Sequence, residues 1–338
     1  MLPAPPAQQL INQPPVRHHS HLYEVLTTVG GLSGQRPRCG WEKSGNPFVA
    51  RRARAKNDGT MTKKIVFLGC GSMGEAILTG LLAAGTPPQA VTVTVRRPER
   101  AEELAHSHGV TALASNEDSS ANTLAVAGAG VVILGVKPVG TVALCREIAA
   151  ELEPGAVVIS VAAAVSLAQL EGALRPGQPV VRSMPNTPLR VGRGVVALSA
   201  GSHAGEAQLA AAHEIFDGSG VVLDIPEEQQ DAVSAISGSG PAYAFYLAEA
   251  MAAAAVDFGL APAVAQVLAR ETVAGAGLML AEPGADPATL RRGVTSPNGT
   301  TEQAIATFDR EGLPGIVLAG ARAAAARAAQ ITQELSAQ

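Results

Sequence analysis

The residues Val294-Thr295-Ser296-Pro297-Asn298-Gly299-Thr300-Thr301 set hydroxyl side chains and a Pro-Asn-Gly turn directly before a segment of helix composition, Glu302-Gln303-Ala304-Ile305. The first N–H groups of a helix have no partners inside it, and the helix start carries a partial positive charge. Such a start suits a small carboxylate. The same residues also describe an ordinary Ser/Thr cap after a turn, which in isolation is the commoner arrangement. A second stretch with chemistry in it lies far upstream and bears on the choice.

That stretch is Gly69-Cys70-Gly71-Ser72-Met73-Gly74, a G-x-G-x-x-G. The first glycine permits a tight turn, the second lets the backbone approach a pyrophosphate, and the third lets helix and strand pack closely. The hexapeptide alone is weak evidence. Here the β-branched, apolar Lys64-Ile65-Val66-Phe67-Leu68 precedes it, a helical segment over 75–84 follows, and Val91-Thr92-Val93-Thr94-Val95 alternates as a second strand. This order of elements makes nucleotide binding the reading, against a merely structural glycine turn. The second strand then ends in Arg96-Arg97, where an NAD site usually carries Asp or Glu. A guanidinium fork suits a 2′-phosphate. NADPH is therefore the preferred cofactor, with NADH possible; the alternative is that one or both arginines are solvated loop charges.

Two further stretches stay open. Leu134-Gly135-Val136-Lys137-Pro138 closes a later buried strand at the carboxyl edge of the sheet, where open α/β folds place ligands. Lys137 serves as a general acid only if burial disfavours its charge, so the loop is read as shaping the nicotinamide pocket, with Lys137 structural or cofactor-facing. Arg182-Ser183-Met184-Pro185-Asn186-Thr187-Pro188, placed after another strand, is either scaffold or one wall of the cleft.

The elements that must position these residues follow from composition and pattern. A chain of 338 residues exceeds the usual single-domain size, and 47% hydrophobic against 16% charged residues supports a large core. Strands at 131–134, 157–160, 180–181 and 195–198 alternate with helical pattern, which predicts βαβ units and a mostly parallel sheet over residues 61–225. After Pro226 the strand signals stop, and residues 226–338 read as an all-α domain rich in Ala and Gly. Its thin helices predict an interlocked homodimer. Residues 1–60 show neither period and are expected to be a disordered or poorly ordered leader, with Met61 a possible true start; the basic run Arg51-Arg52-Ala53-Arg54-Ala55-Lys56 is read as solvated tail. The net charge of −4 argues against a nucleic-acid partner. Three scattered cysteines argue against disulfides or a metal site and fit a reducing cytoplasm. No uninterrupted apolar run approaches the roughly 18 residues of a membrane helix, so no membrane partner is expected.

The glycine fingerprint, Val136-Lys137-Pro138, Asn186-Thr187-Pro188, Ser237-Gly238-Ser239-Gly240-Pro241-Ala242-Tyr243 and Val294-Thr295-Ser296-Pro297 occur in one order. In this the chain resembles the pyrroline-5-carboxylate reductases from about Lys63 to Ser336. The resemblance implies an α/β Rossmann-type domain followed by an all-α dimerisation domain, and often a higher ring of dimers. It implies NAD(P)H-dependent reduction of the ring C=N of 1-pyrroline-5-carboxylate to L-proline, the last step of proline synthesis. It also implies a substrate carboxylate held at Val294, Ser296, Gly299 and Thr300, Thr301 near the imine nitrogen, and Asn116 near the adenosine ribose.

Departures accompany the resemblance. Asn298-Gly299 stands where the family usually has Gly-Gly; Asn tolerates left-handed geometry. Arg291-Arg292-Gly293 replaces a stretch that commonly carries an acidic residue and Asn, so Arg292 either assists the carboxylate or alters a dimer contact. The stretch 119–127 reads as a surface insertion. Rival readings are a related NADP-dependent imine or hydroxy-acid reductase, and a non-catalytic NADPH-binding module.

Overall fold

The computed structural model describes residues 63–336. The expected leader, its basic run, Met61 and Cys39 lie outside the described residues. Strands β1 (Lys64–Leu68), β2 (Val91–Val95), β3 (Thr111–Ala114), β4 (Ala129–Leu134), β5 (Val157–Ser160), β6 (Val180–Pro185), β7 (Gly194–Ala200) and β8 (Gly220–Asp224) form one sheet in the order 3-2-1-4-5-6-7-8. The strands from β1 to β6 run parallel. β7 turns back antiparallel to β6, and β8 lies parallel to β7. The order reverses between β1 and β4, which opens a crevice beyond the carboxyl ends of those strands.

Helices α1 (Ser72–Ala83), α2 (Pro98–His108), α3 (Ala121–Val126), α4 (Pro138–Ile148), α5 (Leu167–Ala173) and α6 (Glu206–Phe216) cover the two faces. The period-2 alternation of each strand feeds two separate cores. Ile65, Phe67, Val91, Val93, Val131 and Ile133 pack with Ile77, Leu81, Leu104 and Phe216 on one face. Val66, Leu68, Val132, Leu134 and Val158 pack with Leu144, Ile148 and Leu170 on the other. Several helices begin with proline at their first positions, as at Pro98 and Pro138, and α2 ends on Gly109 at φ +69°. Prolines fit helix starts and left-handed glycines fit helix ends, so the boundaries follow from side-chain stereochemistry.

Three expectations change. The short β3, Thr-Ala-Leu-Ala, is an edge strand that the sequence pattern did not reveal, because two of its four residues are alanines with little strand preference. The stretch 119–127 is no surface insertion. It holds α3, whose Ala121, Ala125 and Val126 are buried, and α3 is the crossover that a parallel β3–β4 step requires. Residues 182–185 do not follow a strand; they belong to β6. Pairing with β5 stops at Arg182, whereas pairing with β7 continues to Pro185, so the proline falls where β6 no longer needs to bond β5.

Beyond β8 the chain is helical: α7 (Gln230–Val233), a π-helical turn (Ser234–Gly238), α8 (Gly240–Asp257), α9 (Pro262–Leu280), α10 (Pro287–Gly293), α11 (Thr300–Arg310) and α12 (Leu313–Ser336). α8 packs along α9, and α12 packs against the π turn and α7. From α8 to α12, only Ala265, Ala269 and Ala321 are buried among the described residues. Phe245, Tyr246 and Phe258 are 69%, 72% and 84% exposed, and Leu268, Leu278, Ile316 and Val317 also face outward. By length and composition α9 could cross a membrane, although Arg270 and Glu271 interrupt it midway.

Stability rests on the double core. Phe67 is fully buried near the carboxyl end of β1. Phe67→Ala is expected to lower unfolding free energy by about 3–5 kcal/mol, read from the midpoint of urea denaturation followed by circular dichroism.

Candidate active site

The carboxyl end of β1 runs into a loop that only glycines can build. Gly69 has φ +86°, and a methyl group added there would stand 2.8 Å from Val136 Cγ1 and 3.0 Å from the Gly135 carbonyl carbon. The Gly69 N–H donates to the Thr94 carbonyl (2.9 Å), tying the loop to β2. Gly135, which the sequence reading did not single out, is the counterpart: a methyl group on it would meet the Gly69 carbonyl oxygen at 2.0 Å. These two contacts bring Val136, Lys137 and Pro138 against the fingerprint. Gly74 is also required, since its Cβ would lie 3.0 Å from the Gly69 oxygen where α1 leans on the loop.

Gly71 differs. No atom lies within 4 Å of where its Cβ would stand, and as N-cap of α1 it offers no side chain to the first N–H groups. Open space above an uncapped helix start is the geometry a pyrophosphate needs. Ser72 is exposed and Met73 half-buried beside it. Cys70 points into the core, where burial pushes its thiol up to about 12. Any contact it makes with a cofactor would therefore come from its backbone.

Glu75, one turn into α1, would place a bare carboxylate close to that anion site. Burial alone would raise its carboxyl, but hydrogen bonds from His108 and Arg100, with the Arg100 charge, hold it below its ordinary value. The His108 ring lies 3.2 Å from the carboxylate, and Arg100 closes an ion pair on its other side. The charge is compensated in place, and the helix start stays attractive to anions.

At the end of β2, Arg96 and Arg97 are exposed, and neither forms an ion pair among the described residues. The N–H of Asn116, also exposed, donates to the Arg96 carbonyl (3.0 Å), which brings those two expected residues together at one edge. Lys137 is exposed, without the burial a general acid would require. Its carbonyl accepts from Gly140 N–H (3.0 Å) and Thr141 Oγ1 (3.2 Å) at the start of α4.

The C-terminal turn does not form the ordinary cap. Gly299 is the N-cap of α11, and no side chain caps the helix. Asn298 sits at φ +58°, and its N–H donates to Glu302 Oε2 (2.7 Å), while the Gly299 N–H donates to the Ser296 carbonyl (3.0 Å). The helix's own bonding begins with Gln303 N–H to the Gly299 carbonyl. Among the described residues the hydroxyls of Ser296, Thr300 and Thr301 have no partner. Val294 is 62% exposed. Arg292 turns back to Thr289 Oγ1 (2.8 Å) in its own helix. No hydrogen bond or ion pair among the described residues joins this turn to the sheet.

The Asn186 amide, by contrast, does cross between the two regions. Its Nδ2 donates to the Ser237 carbonyl and Oγ, 3.1 Å each, and its Oδ1 accepts from Val195 N–H at 2.9 Å. Buried Arg182 reaches Glu227 (2.9 Å), whose carboxylate also accepts the Leu167 N–H (2.7 Å). A buried arginine in a strand has no local sequence signal; its partners, Glu227 and, at 4.0 Å, Asp231, lie far along the chain.

A doubly wound sheet with this strand order, a glycine cradle at its switch point and arginines after its second strand defines a dinucleotide-binding protein of the Rossmann class. The comparisons sharpen that class. Residues 227–331 match the family described as pyrroline-5-carboxylate reductase dimerisation, and residues 64–164 match the one described as NADP oxidoreductase coenzyme F420-dependent. A pyrroline-5-carboxylate reductase of Pseudomonas aeruginosa is 38% identical over 275 residues, covering 81% of this chain and 98% of that one. A pyrroline-5-carboxylate reductase structure from Coxiella burnetii superposes with a TM-score of 0.74 at 34% identity, covering 80% of this chain and 98% of that one. A Plasmodium falciparum pyrroline carboxylate reductase solved with NADP bound shares the fold, at 22% identity and a TM-score of 0.69 over 81% of this chain and all of that one. The chain belongs to the pyrroline-5-carboxylate reductase family.

The two glycines facing the cradle make a paired prediction. Gly71→Ala is expected to fold normally and to weaken binding of the reduced nicotinamide dinucleotide by about tenfold, because the methyl group occupies open space over the helix start. Gly135→Ala is expected to lower the melting temperature as well, since its methyl group collides with the Gly69 backbone. Equilibrium titration of nicotinamide fluorescence beside thermal melts separates the two effects.

Proposed function

We propose that this chain reduces 1-pyrroline-5-carboxylate to L-proline, the final step of proline biosynthesis, with NADPH preferred over NADH. The observation that carries the reading is the uncapped start of α11, which presents backbone N–H groups and three hydroxyls without partners among the described residues, in a chain 38% identical to a reductase of that name. We assign residues 61–225 to cofactor binding and 226–338 to substrate binding and dimerisation.

The residues fit a bound nicotinamide dinucleotide. Gly69 to Gly74 and the open start of α1 would hold the pyrophosphate through backbone N–H groups. Arg96, and Arg97 beside it, would pair with a 2′-phosphate, while Asn116 would meet the ribose. Val136, Lys137 and Pro138 would wall the nicotinamide end. When bound, the reduced cofactor supplies a hydride to the imine carbon.

The remaining work falls to the C-terminal turn. Backbone and hydroxyl groups of Val294, Ser296, Gly299 and Thr300 would orient the substrate carboxylate against the α11 dipole. Thr301 would hydrogen-bond the ring nitrogen. As the hydride arrives, the C=N electron pair moves to that nitrogen, which already carries its proton in the iminium form. No strong acid is then needed, and positioning supplies much of the rate.

We also propose that two chains interlock through the apolar faces of α8, α9 and α12, and that a partner completes the exposed turn. A ring of such dimers extends the same proposal. The buried free thiols Cys70 and Cys145 suit a reducing cytoplasm. A monomeric, fully active species in light scattering would overturn the dimer.

The decisive assay mixes purified protein with 1-pyrroline-5-carboxylate and NADPH or NADH and follows nicotinamide absorbance; no turnover with either cofactor refutes the assignment. Thr301→Ala is expected to keep cofactor binding and to lose about ten- to a hundredfold in kcat, the worth of one strong hydrogen bond. Arg96→Asp is expected to shift the ratio of kcat/KM values from NADPH toward NADH, and an unchanged ratio refutes the 2′-phosphate role.

A further inference from the structure

The Asn-Thr-Pro stretch after β6 belongs to neither the cofactor cradle nor the substrate turn, yet Asn186 is among the few polar side chains buried in the fold, at 7% exposure. We propose that Asn186 is a positioning residue for hydride transfer, clamping the base of the helical region onto the cofactor edge of the sheet. The proposal rests on the reductase reading above.

Three segments meet at its amide. β6 runs parallel to β1, β4 and β5, so its end opens on the same edge as the glycine loop and Val136-Lys137-Pro138. From that edge the amide Nδ2 donates twice to Ser237, in the π turn that leads into α8, while Oδ1 accepts the Val195 N–H at the start of β7. The primary amide offers a donor and an acceptor in one rigid plane; an aspartate there could not donate. The turn also packs on β6: a methyl group on Gly238 would lie 2.5 Å from Cε of the Met184 side chain.

The π turn is a suitable thing to clamp. It carries an extra residue per turn, which regular helix bonding does not favour, so neighbouring groups must hold it. Ser239 N–H donates to the Ser234 carbonyl (2.8 Å), and Tyr243 OH donates to the Ala235 carbonyl (2.9 Å). Upstream, Glu227 is fixed by Arg182, and the Gln230 amide donates to Ser199 Oγ (2.8 Å). Asn186 is thus the last of a row of polar ties before α8 leaves the sheet.

Leverage makes this tie matter. α8 spans 18 residues, about 27 Å, so a tilt of roughly 5° at its base moves its far end by about 2 Å. α12 packs on the same π turn and α11 packs on α12, so a tilt there also carries the turn before α11, and displacements of that order between hydride donor and acceptor cost rate steeply. The clamp therefore acts on the chemical step and leaves cofactor affinity, which is built on β1, β2 and β4, nearly untouched.

The test uses the full chain and its Asn186→Ala, Asn186→Asp and Ser237→Ala variants. Single-turnover oxidation of NADPH by 1-pyrroline-5-carboxylate, at saturating concentrations of both, is measured per folded molecule and repeated with NADPH deuterated at the transferring position. The expected result is a hydride-transfer rate lowered about tenfold or more in both Asn186 variants and about threefold in Ser237→Ala, with NADPH affinity within about twofold of wild type. The slowed step should keep its deuterium effect.

Rates per folded molecule within about twofold of wild type would overturn the clamp and leave Asn186 a purely structural residue. NADPH affinity falling in step with rate would overturn it too. Should both Asn186 variants fail to fold, the half-buried Ser237→Ala decides alone by the same criteria. An inactive wild type would refute the reductase reading; an active wild type with unaffected variants refutes only the clamp.

Discussion

Everything at the cofactor edge depends on one close approach, the backbone of Gly69 against the backbone of Gly135. The sheet order reverses between β1 and β4, so the loops leaving those two strands must diverge around a ligand while touching at their roots. With a Cβ at Gly135 only 2.0 Å from the Gly69 oxygen, neither loop tolerates a side chain at the contact. That contact holds α1 and α4 apart at a fixed spacing. It turns two ordinary strand ends into a crevice with a helix start on one wall and Val136 on the other.

The second constraint is electrostatic. Both proposed ligand ends are helix starts without side-chain caps, and each has an acidic residue in its first turn. A carboxylate there stabilises the helix by its dipole but competes with an anionic ligand. The chain resolves the competition differently at each site. Glu75 is paired with Arg100 and hydrogen-bonded to the His108 ring, whereas Glu302 is turned onto the Asn298 N–H beneath the turn. In both places the acid's lone pairs are engaged away from the backbone N–H groups that remain open.

How much of this was legible follows from how local each signal is. β1, the glycine loop, α1 and β2 announce themselves through alternation and spacing within some thirty residues. β3 did not, because Thr-Ala-Leu-Ala lacks β-branched bulk, and α3 passed for an insertion because its buried residues are small. Among the proposed site residues, the tight glycine loop of the fingerprint was readable from sequence. Gly135 was not, since the reason for it is a backbone 66 positions away in the chain. Asn186 looked as much like scaffold as cleft wall until its partner at Ser237 was placed. The Glu302 tie had a partial signal: glutamate at the third helical position is half of a capping box, but Gly299 stands where the Ser or Thr would be.

Asn298 shows why a departure from a glycine pair need not break the turn. At φ +58° most side chains strain the backbone by roughly 1–2 kcal/mol, and Asn is among the few that visit this region routinely. Its N–H is then bonded to a charged acceptor, a contact worth about 1.5–3 kcal/mol in mutational series and less where solvent reaches it, as here. The strain and the hydrogen bond are of similar size and opposite sign. The next residue has no such freedom: a methyl group on Gly299 would stand 2.9 Å from the Ser296 carbonyl oxygen. Of these two adjacent positions, the second is closed by backbone contact, and there the chain carries glycine.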